Sequence, residues 1–384
     1  MPFASACSTR PAALDAVAEV CGRVPAGPWG LAAAFFTPQP ARHAAEILAE
    51  IRRLSPDAVL GCTAQGVLAD GREIENGPAL SLWLARWPRP VSLKPFHLTL
   101  ERTADGPSLF GLPDELLAPS KPSAVLLVAD PYSFPADFFL RRLAEDAPGV
   151  PVHGGMASGA RVAGDARLLA GDAVHSDGAA CVLLQGEFGL RSVVSQGCRP
   201  IGRPFIVTKA DENHVLELGG RVPMEQLRGL YASLPEADRA LFHSGLQIGR
   251  VLNEYQGEFR RGDFLIRDVI GIVRDTGALL IGDSVRVGQT VQFQVRDAAS
   301  ATEDLHALLQ RDAATATAGG ALVFTCNGRG TSMFAGPDHD ACAVRQEAGP
   351  VPLAGFFAAG EIGPVGGQNF VHGYTASVAL FGEG

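Results

Sequence analysis

Three short stretches late in the chain bring together residue types able to hold a small polar molecule. Cys326-Asn327-Gly328-Arg329-Gly330-Thr331-Ser332 sets a guanidinium between two glycines. Glycine lets main chain approach a ligand closely, and the guanidinium fork grips a carboxylate through two parallel hydrogen bonds. Glu361-Ile362-Gly363-Pro364 follows, then Asn369–Thr375 with His372 inside it. An acid and an Arg in matching loops would hold the amino and carboxyl groups of an amino-acid-like molecule. The competing readings are a structural ion pair between two turns, or a surface turn with Arg329 solvated. A further polar pair, Arg267-Asp268, interrupts the apolar run 266–270. Buried charges need partners, so this pair reads as a packing network before it reads as part of a site.

Signatures of catalysis are sparse. Cys62 and Cys326 each end an apolar run beside a Gly-rich loop, which makes them candidate nucleophiles of a cysteine-dependent enzyme. Buried, inert thiols are the alternative. His43, His97, His214, His243 and His306 stand singly, and His153 and His175 lack a carboxylate at ligand spacing, so neither a metal site nor a cofactor is expected. There is no GxSxG elbow or P-loop, and the glycine spacing of 154–159 is wrong for a dinucleotide turn. Binding without catalysis is the expected activity, with a protein-interaction scaffold as a further alternative.

The elements that must carry these loops are announced by a repeat. DAVLGCTAQG (57–66), VPVHGGMASG (150–159) and VPLAGFFAAG (351–360) share one frame: a short apolar run, Gly, two variable residues, Ala, one variable residue, Gly. The step from Gly61 to Gly154 is close to half that from Gly154 to Gly355. A fourth copy is therefore expected in the gap, where LLIGDSV (279–285) echoes LLAGDAV (168–174). Each copy reads as β-α-β-β. In the first, strands are predicted at 30–36, 58–62 and 79–84 around a helix over 41–54. In the second, strands are predicted at 124–129, 150–155 and 179–185, with a helix over 135–145. In the third, strands are predicted at 321–326, 351–356 and 375–381, with a helix near 338–347. The strands are too uniformly apolar to leave either face wet. The fold class is thus α/β (α+β), with two similar domains built from repeated units, in a layered αββα arrangement. The expected divisions are an N-terminal helix (1–27, capped by Thr9), a first domain (28–220) and a second (221–384).

Within each copy the first strand runs into a loop facing a helix N-terminus, a place that favours polar or anionic ligands. The loops differ: Thr37-Pro38-Gln39-Pro40, Asp130-Pro131-Tyr132-Ser133, and the Gly-Arg-Gly loop of the third copy. Recognition is expected in the third.

Bulk properties narrow the functional class. With 384 residues, 47% hydrophobic and 19% charged, the chain can bury more than one core. A net charge of −9 with scattered Arg argues against nucleic acid and acidic membranes. No run approaches the ~18 apolar residues of a membrane span, no secretory signal opens the chain, and seven widely spaced cysteines without CxxC suit a reducing cytoplasm.

At these residues the chain resembles FIST-domain proteins, in both the N-terminal FIST domain and the FIST C domain. The matching stretches are Gly61-Cys62-Thr63, Gly71-Arg72-Glu73 with Glu75, and Gln196–Gly202. Phe264–Gly271, Gly328-Arg329-Gly330, Gly360-Glu361-Ile362-Gly363 and Asn369–Thr375 continue the match. The resemblance implies a sensory, small-molecule-binding module of signal transduction, with amino acids as the ligand class and a separate downstream signalling protein as partner.

Overall fold

The computed structural model describes residues 2–104 and 106–382. The chain opens with β1 (Phe3–Ser8), α1 (Ala13–Arg23), β2 (Trp29–Phe36), α2 (Ala44–Arg52), β3 (Pro56–Thr63), the short hairpin β4 (Val67–Ala69) and β5 (Arg72–Ile74), and β6 (Leu80–Ala85). The same order returns as β7 (Val91–Thr103), β8 (Gly106–Phe110), α3 (Asp114–Leu117), β9 (Ser123–Ala129), α4 (Ala136–Asp146), β10 (Val152–Met156), β11 (Leu168–Ala170), β12 (Ala173–His175) and β13 (Ala179–Gly186). A third round begins at β14 (Leu190–Gln196), and there the chain departs on an excursion. The excursion comprises β15 (Cys198–Pro200), β16 (Phe205–Asp211), β17 (His214–Leu218), α5 (Pro223–Ser233), α6 (Glu236–Ser244), β18 (Leu246–Val251), β19 (Phe264–Ile272), β20 (Leu279–Ile281) and β21 (Thr290–Arg296). The round then resumes with α7 (Ala298–Ala313), β22 (Gly320–Cys326), α8 (His339–Ala348), β23 (Leu353–Ala358), the hairpin β24 (Glu361–Val365) and β25 (Gln368–His372), and β26 (Thr375–Phe381).

The chain divides into two compact units: one runs to Val194 and includes Leu305–Val371 and Thr375 onward; the other is Ser195–Asp304 with His372–Tyr374. In the first unit the three rounds build three sheets of matching order: β1-β6-β2-β3-β11-β12, β8-β7-β13-β9-β10-β24-β25, and β14-β26-β22-β23-β4-β5. Each sheet is centred on a parallel pair, β2 with β3, β9 with β10, and β22 with β23. Each also takes its hairpin from another round. The first round's hairpin completes the third sheet, the second's completes the first, and the third's completes the second. The folding units are therefore interlocked, and none closes its own sheet.

Side-chain alternation explains why both faces of these strands are apolar. Leu31, Ala33 and Phe35 of β2 point into a core shared with Leu126 and Val128 of β9 and Phe324 of β22, while Ala32, Ala34 and Phe36 pack outward beneath α1 and α2. Phe35, Phe324 and Phe356 meet at centroid distances of 5.0–6.3 Å. α4 covers the second sheet and α7 with α8 the third. Sheets lie inside and helices outside, as expected, but three sheets rather than two enclose the core.

Two expectations are corrected. The segment 1–27 is not a lone helix: β1 precedes α1 and pairs antiparallel with β6, and α1 starts after Ala12, not at Thr9. The run FASACS has one large apolar residue, too faint a pattern to read as a strand without its partner. The proposed fourth copy is also not one. β20 lies in an antiparallel ring, β18-β19-β20-β17-β16-β21, closed by pairing of β21 with β18. Val207, Val215, Leu279, Val291 and Phe293 fill its core. Closure removes free edges without any parallel crossover. The local apolar–Gly–Asp pattern specifies a short strand and its turn, not which strands it will pair with.

Candidate functional site

Cys326 ends β22, and the following turn is tied by Arg329 N–H donating to Cys326 O (2.9 Å) and Asn327 N–H donating to Ala358 O (2.9 Å). Gly328 N–H points at Cys326 Sγ (3.4 Å). Gly330 sits at φ +59, a conformation that favours glycine. Glu75 in turn accepts from Thr331 N–H (2.9 Å) and Thr331 Oγ1 (2.8 Å).

This turn drives Arg329 inward until none of its surface is exposed. Its Nε and Nη2 pair with both oxygens of Asp340, at 2.8 and 2.7 Å, and its guanidinium carbon lies 5.1 Å from the Phe334 ring centroid. Asp340 also accepts from Thr325 Oγ1 and faces His339 Nδ1 at 2.8 Å. Burial alone would raise the Asp340 pKa, but Arg329, His339 and Thr325 hold it well below the carboxylate range. The fork expected to grip a ligand carboxylate is thus engaged by a carboxylate of the chain itself.

Two further carboxyls surround this pair. Glu73, from the hairpin β4–β5 of the first round, accepts from Asp340 N–H (2.8 Å) and Ala341 N–H (2.9 Å) at the start of α8. Burial, then the neighbouring Asp340, pushes its pKa up to about 7. Glu361, at the start of β24, is fully buried; its Oε2 accepts from Thr375 N–H (3.0 Å) and Thr375 Oγ1 (2.7 Å). Burial raises Glu361 to about 8, against the opposing pull of Thr375, Cys326 and Arg329. Its Oε1 and the Oε2 of Glu73 are buried with no hydrogen-bond partner among the described residues. Around the Arg329–Asp340 ion pair, burial thus biases two carboxyls, Glu73 and Glu361, toward the protonated form.

Of the residues named from sequence, Asn327, Gly328, Arg329, Gly330, Cys326 and Glu361 belong to this cluster. Asn369 does not: its Oδ1 accepts from Val152 N–H (2.9 Å) and its Nδ2 donates to Val150 O (2.8 Å), stitching β25 to β10. Arg267 pairs with Asp283 Oδ2 at 3.1 Å within the closed ring, and Asp268 accepts from Tyr374 Oη at 3.2 Å. His372 is buried at the end of β25. Cys62 sits in the shared core, fully buried, where burial pushes its thiol well above the ordinary range and so disfavours the thiolate. Asp340, Glu73, Thr325, His339 and Thr375 were missed as site members. Glu73 stood in the Gly-Arg-Glu stretch, but nothing in the sequence marks a hairpin acid as the cap of a helix more than two hundred residues away.

The parallel registers show what became of the other copies. Gly61, Gly154 and Gly355 face Ala34, Leu127 and Val323, which places Thr37, Asp130 and Cys326 at equivalent positions. Thr37 is satisfied by Ala79 N–H at 2.8 Å. Asp130 takes Ser133 Oγ at 2.6 Å and leaves Oδ1 unpartnered. Only the third copy adds an arginine and further acids.

Family models match both halves of the chain: the FIST N domain over residues 30–221 and the FIST C domain over 223–364. An uncharacterized Mycobacterium tuberculosis protein is 44% identical over 375 residues, covering 97% of this chain and 96% of its own. An uncharacterized Mycobacterium bovis protein is 45% identical over 342 residues, covering 88% and 87%. No helix among the described residues is long and apolar enough to cross a membrane.

Proposed function

Because the chain belongs to the FIST family and carries both its N and C domains, sensory domains of signal transduction, we propose that it is a cytoplasmic receptor for a small amino-acid-like metabolite, read at the Glu361–Arg329 cluster and relayed to a separate signalling protein. The observation that carries this reading is Glu361, fully buried, with no N–H or O–H donor to its Oε1 among the described residues and the weak thiol donor of Cys326 beside it. A buried polar atom left unsatisfied is costly, and a ligand amino group would relieve that cost. Since the Arg329 fork is engaged by Asp340 and the N–H groups of Asn327, Gly328 and Arg329 are taken up within the turn, Arg329 positions the site and the ligand is read through its amino group. Amino acids and simple amines are titrated while thermal unfolding is followed. Ligand at one hundred times its dissociation constant stabilises by ~2.7 kcal/mol. The Glu361→Gln protein keeps its shape and is expected to lose the shift; an undiminished shift would remove Glu361 from the site.

One observation favours a second reading, cysteine chemistry at Cys326. The Gly328 N–H points at that sulfur at 3.4 Å, and the Arg329 guanidinium lies near it. Fast alkylation of Cys326 at mildly acidic pH would support this reading, and the slow rate of an ordinary thiol would end it.

A further inference from the structure

β1 is an edge strand, and its outer side opens on two cavities that lie end to end. One, of about 460 Å³, is lined by Ser5–Arg10, Glu19, Arg23 and Arg72; the other, of about 370 Å³, by Phe3–Ser5, Arg345 and 350–352. They share Ser5, Arg23 and Asp70, so they follow the strand along its length. In an antiparallel pair each residue turns both main-chain groups either toward its partner or away, alternating along the strand. Cys7 O accepts from Arg23 Nη1 at 2.9 Å, on the side away from β6, so the N–H and C=O of Ser5 face the groove as well. Four arginines, Arg10, Arg23, Arg72 and Arg345, line it against two carboxylates, Glu19 and Asp70. Glu19 pairs with Arg10 and Arg23, and Arg345 Nη1 donates to Asp70 O. Arg72 is exposed and makes no ion pair among the described residues.

We propose that this groove docks an extended acidic segment of a partner protein, which adds as a strand to the outer edge of β1 and sets carboxylates against Arg72 and its neighbours. Main-chain hydrogen bonds to an open edge supply affinity, and side chains at alternate positions supply selectivity. Arg23 occupies Cys7 O in the free protein, standing in for a peptide N–H and covering an edge that would otherwise be open to indiscriminate pairing. β1 has six residues, so an added strand of roughly seven residues, rising about 3.3 Å each, runs its full length. The inference is independent of the Glu361 site: it concerns a different surface, and the two tests can fail separately.

The test uses the full-length protein and a labelled, end-capped peptide of about seven residues alternating Glu and Val, with a Lys–Val counterpart as control, read by fluorescence anisotropy. The acidic peptide is expected to bind and the basic one not. Arg72→Glu is expected to weaken binding on the order of tenfold, through an exposed residue that leaves the fold alone. Ser5→Pro removes one outward N–H, the position at which an edge strand tolerates proline, and is expected to abolish strand addition. Arg72→Glu carries the test if Ser5→Pro fails to fold. Absence of binding to the natural sequence, equal binding of the Lys–Val peptide, or unchanged affinity in both variants would overturn the proposal. Competition by inorganic phosphate that is insensitive to Ser5→Pro would reassign the groove to small anions.

Discussion

A guanidinium with no exposed surface persists only if its charge is answered, and Asp340 answers Arg329 with two parallel hydrogen bonds. Breaking such a pair by neutralising one member leaves an uncompensated buried charge. Asp340→Asn is therefore expected to cost about 3–5 kcal/mol, measured by urea unfolding. A second prediction concerns pH. Glu73 and Glu361 have folded-state pKa values near 7 and 8, against 4.5 ordinarily. Below the ordinary value both states are protonated and these groups contribute nothing to the balance. As pH rises above it, the unfolded chain releases protons that the folded chain retains, so stability falls until the folded-state values are passed. The urea midpoint is expected to drop between about pH 5 and about pH 8, and Glu361→Gln to flatten the upper part of that drop. A natural-sequence midpoint rising across this window would contradict the electrostatics drawn here.

The three recurring glycines are explained by the spacing of parallel strands. A Cβ at Gly61, Gly154 or Gly355 would stand 2.2, 1.7 or 1.8 Å from the carbonyl oxygen of Ala34, Leu127 or Val323. Main chain on both sides of each contact is held in the ladder and cannot yield. Gly355→Ala is accordingly expected to destabilise by about 3 kcal/mol or more. Gly229, in α5 and exposed with nothing within 4 Å of the added carbon, makes the contrast: Gly229→Ala is expected to stabilise by about 0.5–1 kcal/mol. Denaturant unfolding of the two variants checks both signs. The frame was legible because one steric demand repeats at each parallel pair. The β4–β5 hairpin was not, because three-residue strands in a turn-rich stretch carry no periodicity of their own.

Across the molecule, the hairpin exchange makes the site a composite. Arg329 and Asp340 belong to the third round, while Glu73 and Glu75 arrive on the first round's hairpin. The excursion between β14 and α7 folds as a closed ring with its own core, and this is what stretched the interval between the second and third frames into the likeness of a missing copy. The amino-acid sequence by itself determined the mixed α/β class, the three repeated strand–helix–strand units and the distinctive third loop, because those follow from local periodicity and from glycine sterics. Tertiary structure alone decided that the hairpins are traded between rounds, that the intervening segment closes into a ring, and that Asp340 meets Arg329. Partner choice in a sheet is settled by which long-range pairing satisfies the most main-chain groups and buries both faces, and no window of neighbouring residues contains that information.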